Sequence, residues 1–175
     1  MRLVSTASSI VLAGALAGGC ASGLPRSGSA SYVAPSGLVL AEEAEARAGG
    51  GPSGPRYPAA ARAALQQAAF VTVAAVDSTG RVDPRSVAFL GEAPSAFRES
   101  VCAYLRASFR DPVIREGRAV AAVIVDEWEF ALGGEAPPRR LQRAAAVREE
   151  LRVSASQSAL GAALANRLGG RPGCG

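Results

Sequence analysis

The middle of this 175-residue chain predicts an α+β domain: two short helices on one face of a small antiparallel three-stranded sheet, in the order α-β-β-α-β, followed by a C-terminal helical extension. Three observations predict it. Two apolar runs flank the turn sequence Asp77-Ser78-Thr79-Gly80, an apolar stripe of Phe97, Val101 and Leu105 recurs at intervals of four, and a long final run alternates in polarity.

Pro58 suits the first turn of a helix and Ala59 to Gln67 favours one, which predicts a helix over about 58–68. Phe70 to Val76 reads as a strand. Gly80 supplies the positive φ that the following turn needs, and Arg81 to Leu90 returns as the second strand of a hairpin. Pro84 cannot donate to a ladder, so it is expected at an edge or a bulge. Ser95 stands where it can cap a helix from Ala96 to about Phe109, its stripe widened by Tyr104 or Ser108. Asp111-Pro112 ends that helix and Glu116-Gly117 turns the chain. Ala119 to Leu132 then forms the final strand, with Val120, Ala122, Ile124, Trp128, Phe130 and Leu132 on one face. Asp126 falls on that face too, which predicts a bulge or strand end near it.

This domain spans 57–132. Residues 1–19 read as a signal peptide, 20–56 as a Gly/Pro/Ser-rich linker and 133–175 as a basic helical extension. A solvated helical turn carrying Glu42, Glu43 and Glu45 is expected within Leu38 to Arg47. After Pro137-Pro138 the extension reads as helical to about Leu151, then, past a break near Ser154 to Ser158, as a second stretch with Leu160, Leu164 and Leu168.

Missing residue types remove chemistry. The chain has no histidine and no lysine, so it has no phosphate-loop lysine, no Schiff base, no serine–histidine or cysteine–histidine pair and no imidazole ligand. Neither a cofactor nor a metal is expected. The one enzymatic reading rests on Asp126, Glu127 and Glu129, as a carboxylate pair near the end of the last strand. Glu127 and Glu129 alternate with Trp128, and solvent exposure is the ordinary fate of such residues, so the chain is not expected to be an enzyme.

Charge is unevenly spread. Residues 57–132 carry eight arginines against nine acids, whereas 133–175 carry seven arginines against three. A nucleic-acid reader puts its basic stripe on the folded domain with the aromatics, so no nucleic-acid partner is expected. The basic tail, with Arg139, Arg140, Arg143, Arg148 and Arg152, leaves two readings open: contact with anionic lipid or an acidic partner, or a solvated helix resting on the domain.

Arg2 precedes an apolar stretch, Leu3 to Leu16, that is short for a bilayer span of about 20 residues. Leu16-Ala17-Gly18-Gly19-Cys20 resembles the bacterial lipobox, with Ala17 where that motif prefers leucine. The resemblance implies lipidation of Cys20 and a membrane anchor. Ala21 and Ser22, with no aspartate directly after Cys20, resemble lipoproteins held at the outer rather than the inner membrane, facing the periplasm. An ordinary secretory signal with an incidental Cys20 is the other reading. Cys102 and Cys174 then remain as an even pair in an oxidising compartment. They form either a disulfide that staples the tail to the domain, or a buried free Cys102 and a dangling Cys174.

Residues 57–132 resemble the C-terminal domain of the TonB family. Tyr57-Pro58-Ala59-Ala60-Ala61-Arg62 matches its opening, Asp77-Ser78-Thr79-Gly80-Arg81-Val82 matches the turn closing its first strand, and Pro112, Gly117-Arg118-Ala119-Val120 and Phe130 follow its later plan. Two departures stand out: Ala68-Ala69 replaces a glycine that opens the first strand, and the second helix lacks a tryptophan. Among the motif residues, Tyr57 and Pro58 are expected to fix the chain's start, Gly80 and Gly117 to make turns, and Phe97, Phe109, Trp128 and Phe130 to fill the core.

The resemblance implies a protein-interaction module of the cell envelope. An extended partner segment, such as one from an outer-membrane receptor or another complex component, would add to an exposed sheet edge, nominated as Val120 to Phe130. The alternative is a TonB-type energy transducer for transport across the outer membrane. That role needs an uncleaved membrane helix with a histidine, and a linker able to cross the periplasm. Residues 21–56 reach about 120 Å only when pulled straight, and roughly 35 Å when relaxed.

Overall fold

The structure, a computed structural model, describes residue 34 and residues 36–45, 47–133, 142–154, 157–168 and 173–174. The expected signal peptide, Cys20, Pro137-Pro138, Arg139 and Arg140 lie outside the described residues. The elements in chain order are β1 (Val39–Leu40), β2 (Ala48–Gly50), α1 (Ala59–Ala63), β3 (Ala68–Val76), β4 (Ala88–Leu90), α2 (Ser95–Ala107), β5 (Phe109–Arg110), β6 (Val113–Arg115), β7 (Arg118–Val120), β8 (Ala122–Phe130), α3 (Gln142–Ser154) and α4 (Gln157–Leu168).

The protein is α+β. Its centre is the antiparallel pair β3 and β8, in unbroken register from Ala68 opposite Phe130 to Val76 opposite Ala122. β4 adds antiparallel to the other side of β3, which completes the expected three strands. A fourth strand was not foreseen: β1 pairs in parallel with the start of β8, Val39 opposite Ala122 and Leu40 opposite Val123, giving the order β1-β8-β3-β4. Two further pairs lie beside the sheet, β2 with β5 and β6 with β7. Strands therefore occur in the stretch read as linker. The acidic run there makes a turn at 43–45 rather than a helix.

Each face of the sheet meets a helical layer. Ala61 of α1 and Phe97, Val101 and Leu105 of α2 pack on Phe70, Ala74, Val76, Ala122, Ile124 and Phe130. On the opposite face, Ala144 and Leu151 of α3 and Leu160 and Leu164 of α4 pack on Val71, Val73, Ala75, Val123 and Val125, with Leu38 at the edge. Burial on both faces explains why Val73 to Val76 and Ala122 to Val125 are continuous apolar runs rather than alternating ones.

Local details depart from expectation for identifiable reasons. α1 stops at Ala63, five residues short of the expected length, where Leu65 takes φ 52°. The second strand is interrupted by a 3-10 turn at Pro84–Ser86, and only Ala88–Leu90 rejoins the ladder. There the Ser86 hydroxyl takes the place of a strand neighbour, accepting from the Ala75 N–H at 2.8 Å. Pro94, not Ser95, occupies the N-cap of α2 and makes no side-chain cap bond; Phe109 leaves the helix to pair in β5. Glu116 and Gly117 both take positive φ, 52° and 75°, and close the β6–β7 hairpin.

No bulge forms at Asp126. It stays in register opposite Thr72, on the α2 side, and Arg110 meets it there at 2.6 Å. A buried guanidinium and a half-buried carboxylate are retained because each answers the other. Gly80 is fixed by close approach: it sits at φ 83°, its N–H is donated to Asp77 at 3.0 Å, and a Cβ there would lie 1.9 Å from the Arg110 carbonyl.

The C-terminus is tied to the α2 side. Cys102 of α2 and Cys174 form a disulfide, with Cα atoms 5.2 Å apart, and the Cys174 N–H donates to the Pro84 carbonyl at 2.8 Å. The chain therefore passes from α4 on one face to α2 on the other. Among the described residues, no helix is long and apolar enough to cross a membrane.

Candidate functional site

The sheet edge nominated from the sequence divides into three parts. Val120 is not on it: it belongs to β7, opposite Val113, and Ala121 separates the two strands. At the start of β8, the Ala121 and Val123 carbonyls point outward and accept from the N–H groups of Val39 at 3.2 Å and Ala41 at 2.9 Å. The next outward carbonyl, Val125, accepts from the Arg148 guanidinium at 2.7 Å. Strand alternation then turns the backbone groups of Glu127 and Glu129 to this same side. Beyond Val123, no strand pairs with this edge among the described residues.

A groove of about 470 Å³ runs along that last part, beside 127–131. The loop at Ser53, Gly54 and Pro55 walls it, and Tyr57, Tyr104, Trp128 and Phe130 give it an aromatic floor. Each ring is held. Tyr57 meets Phe97 and Phe130 edge-on at 5.6 and 5.7 Å and donates its hydroxyl to the Gln66 carbonyl. Trp128 meets Tyr104 edge-on at 5.5 Å and donates its indole N–H to the Thr72 hydroxyl at 2.8 Å. Arg62 lies over the Tyr57 ring at 5.2 Å.

The side chains named for partner contact mostly serve the core instead. Ala122, Ile124 and Phe130 are buried, and Trp128 is half-buried at the groove. Their even spacing aims them at α2, so what they leave to a partner is the strand's outer backbone. The motif residues have structural tasks: Pro58 precedes α1, Pro112 separates β5 from β6, and Asp77 accepts from the N–H groups of Thr79 and Arg81 at 2.8 and 3.0 Å. Phe109, expected in the core, is half-exposed and lies against Gly50.

The three carboxylates are divided between the two faces of the sheet, Asp126 on one and Glu127 and Glu129 on the other. Asp126 faces the α2 side, where burial pushes its carboxyl up and Arg110 and Arg148 oppose that rise. Glu127 faces the other side and accepts from the Ala144 N–H at 3.3 Å, near the start of α3, where the helix dipole favours an anion. Among the described residues, no group of three or more acidic or cysteine side chains is placed to hold a metal.

The described arginines of the basic tail are engaged internally. Arg148 pairs with Glu43 at 3.2 Å, Arg152 with Glu42 at 3.0 Å and with Glu149 at 2.7 Å, and Arg167 with Glu150 at 2.6 Å. Arg143 donates to the Ala69 carbonyl at 3.1 Å. Glu45, the third acid of the run, binds Arg115 at the β6–β7 hairpin; that guanidinium and the bond with Glu42 hold its carboxyl down to about 2. The acidic run thus clasps α3 and the hairpin.

Sequence reasoning missed Arg110 and the 53–55 wall, and named Arg148 only as part of the basic tail, without its task at the Val125 carbonyl. An aspartate on an apolar strand face was read as a bulge or strand end, whereas a cation meets it there. Nothing local showed which of the 19 arginines would supply it.

A scan against protein-family models finds no match, and a search of curated proteins finds no relative. Among solved structures, the chain is similar to the solution NMR structure of Pseudomonas aeruginosa TonB CTD, at 20% identity and a TM-score of 0.44, over 58% of this chain and 100% of that one.

Proposed function

We propose that this protein is an interaction module of the bacterial cell envelope, held at the outer membrane on its periplasmic side by a lipid on Cys20, that captures an extended segment of another envelope protein. One observation carries the reading: the outer side of β8 from Glu127 to Phe130 lacks a neighbouring strand among the described residues and borders an aromatic groove. Main-chain bonds to such an edge supply affinity, and the pocket beside it supplies selectivity. The rigid, doubly covered sheet keeps that edge in place. The module needs no cofactor, and its work is binding rather than catalysis.

Photocrosslinking from Ala131 in the exported protein tests the reading. It predicts capture of an extended segment of one envelope protein from this position and not from Arg118 on the distant β6–β7 hairpin. Equal capture from both positions, or none from either, overturns it. Incorporation of labelled palmitate that is lost in Cys20→Ser tests the anchor separately.

A further inference from the structure

We infer that the segment accepted by the β8 edge alternates apolar and basic side chains, an inference that rests on the strand-addition reading. The alternation is set by β8 itself. Trp128 and Phe130 face the α2 side, where Tyr57 and Tyr104 complete the groove, whereas Glu127 and Glu129 face the α3 side. A strand added here places its own side chains level with these, one face at a time. Positions beside Trp128 and Phe130 meet rings, and only an apolar group gains from that contact.

Positions beside Glu127 and Glu129 meet carboxylates. Both acids line the groove, and no arginine does among the described residues. Glu127 already accepts from the Ala144 N–H at the start of α3, and Glu129 is engaged within the protein as well, so a partner side chain meets each as an additional neighbour. Opposite charges on directly facing strand positions attract, and like charges repel, so a basic residue is favoured there and an acidic one disfavoured. Period two in the partner follows directly from period two in β8.

Trp128 is the protein's only tryptophan, so its fluorescence reports occupancy of the groove. The experiment uses the mature chain with Cys20→Ser and capped peptides of sequence Val-Arg-Val-Arg-Val, Val-Thr-Val-Thr-Val, Val-Glu-Val-Glu-Val and Arg-Arg-Val-Val-Val. The alternating arginine peptide is expected to shift Trp128 emission saturably and to bind about tenfold tighter than the threonine peptide at low salt, with the glutamate peptide weaker still. Raising the salt should compress that order. The block peptide should lose the gain although its charge is the same. In Glu129→Gln the gap between the arginine and threonine peptides should narrow.

Equal binding of the arginine and threonine peptides, equal binding of the alternating and block peptides, or an unchanged gap in Glu129→Gln overturns the inference and leaves strand addition standing. Silence of Trp128 toward all four peptides overturns both.

Discussion

Replacing Cys102 and Cys174 together with serine should cost about 4 kcal/mol of stability, because the bridge closes a loop with a sequence separation of 72 residues and the open chain regains that closure entropy on unfolding. For a domain of this size, with an unfolding entropy near 2.1 cal/mol/K per residue, that corresponds to a fall in Tm of roughly 15 °C. The path of the chain says where loosening should begin. The bridge fastens the end beyond α4 to α2 across the edge at Pro84, so α4 should gain hydrogen exchange before the β3–β8 pair does. The assay is thermal and guanidinium unfolding of oxidised protein, dithiothreitol-treated protein and the double serine variant, all in a Cys20→Ser background. The reduced and serine forms should coincide well below the oxidised form. Two titratable thiols in the air-oxidised folded protein, or a stability difference under about 1 kcal/mol, would refute the reasoning.

Leu164→Ala, at a fully buried position of α4, should destabilise the protein by about 2–5 kcal/mol; an unchanged denaturation midpoint would mean that α4 does not form the sheet's second cover. Asp126→Ala leaves Arg110 buried opposite an apolar group and should cost about 3–5 kcal/mol, which urea unfolding would measure. Gly80→Ala forces φ 83° on a residue with a Cβ and drives that Cβ into the Arg110 carbonyl, so a loss upwards of about 2 kcal/mol is expected by the same assay. Glu45 should titrate near 2 rather than its ordinary 4.5. Its folded value lies below its unfolded one, so its contribution is complete above about 4.5 and is lost as the pH falls toward 2. Carbon-detected NMR titration of wild type and Arg115→Gln would show the midpoint return upward.

What the sequence disclosed was what local pattern can carry. The hairpin turn at Asp77 to Gly80, the stripe Phe97, Val101 and Leu105, and the run from Ala122 to Phe130 each write their own period, and the central strands and α2 follow them. β1 left no such trace. It is two residues long in a stretch rich in Gly, Ser and Pro, and its partner lies more than eighty positions away, so only the folded sheet reveals it.

The second helical layer was partly legible. Leu160 and Leu164 stood at intervals of four, and Val73 to Val76 failed to alternate, as a strand with one wet face would have done. At Asp126 a bulge or strand end was the expectation, because the cation that meets it comes from β5 and has no fixed spacing from it. Of the strand edge expected to take a partner, β1 and Arg148 occupy the outer carbonyls through Val125, and the groove beside the remainder depends on a 53–55 wall that no motif announces.

Residue-resolved amide hydrogen exchange along β8 addresses the docking edge most directly. The N–H groups of Ile124, Asp126 and Trp128 face β3 and should exchange slowly, while that of Glu127, which faces outward, should exchange fast in the free protein and slow when the alternating arginine peptide is bound. Slow exchange at Glu127 in the free protein, as slow as at Trp128, would mean that the edge is already paired and would contradict the account.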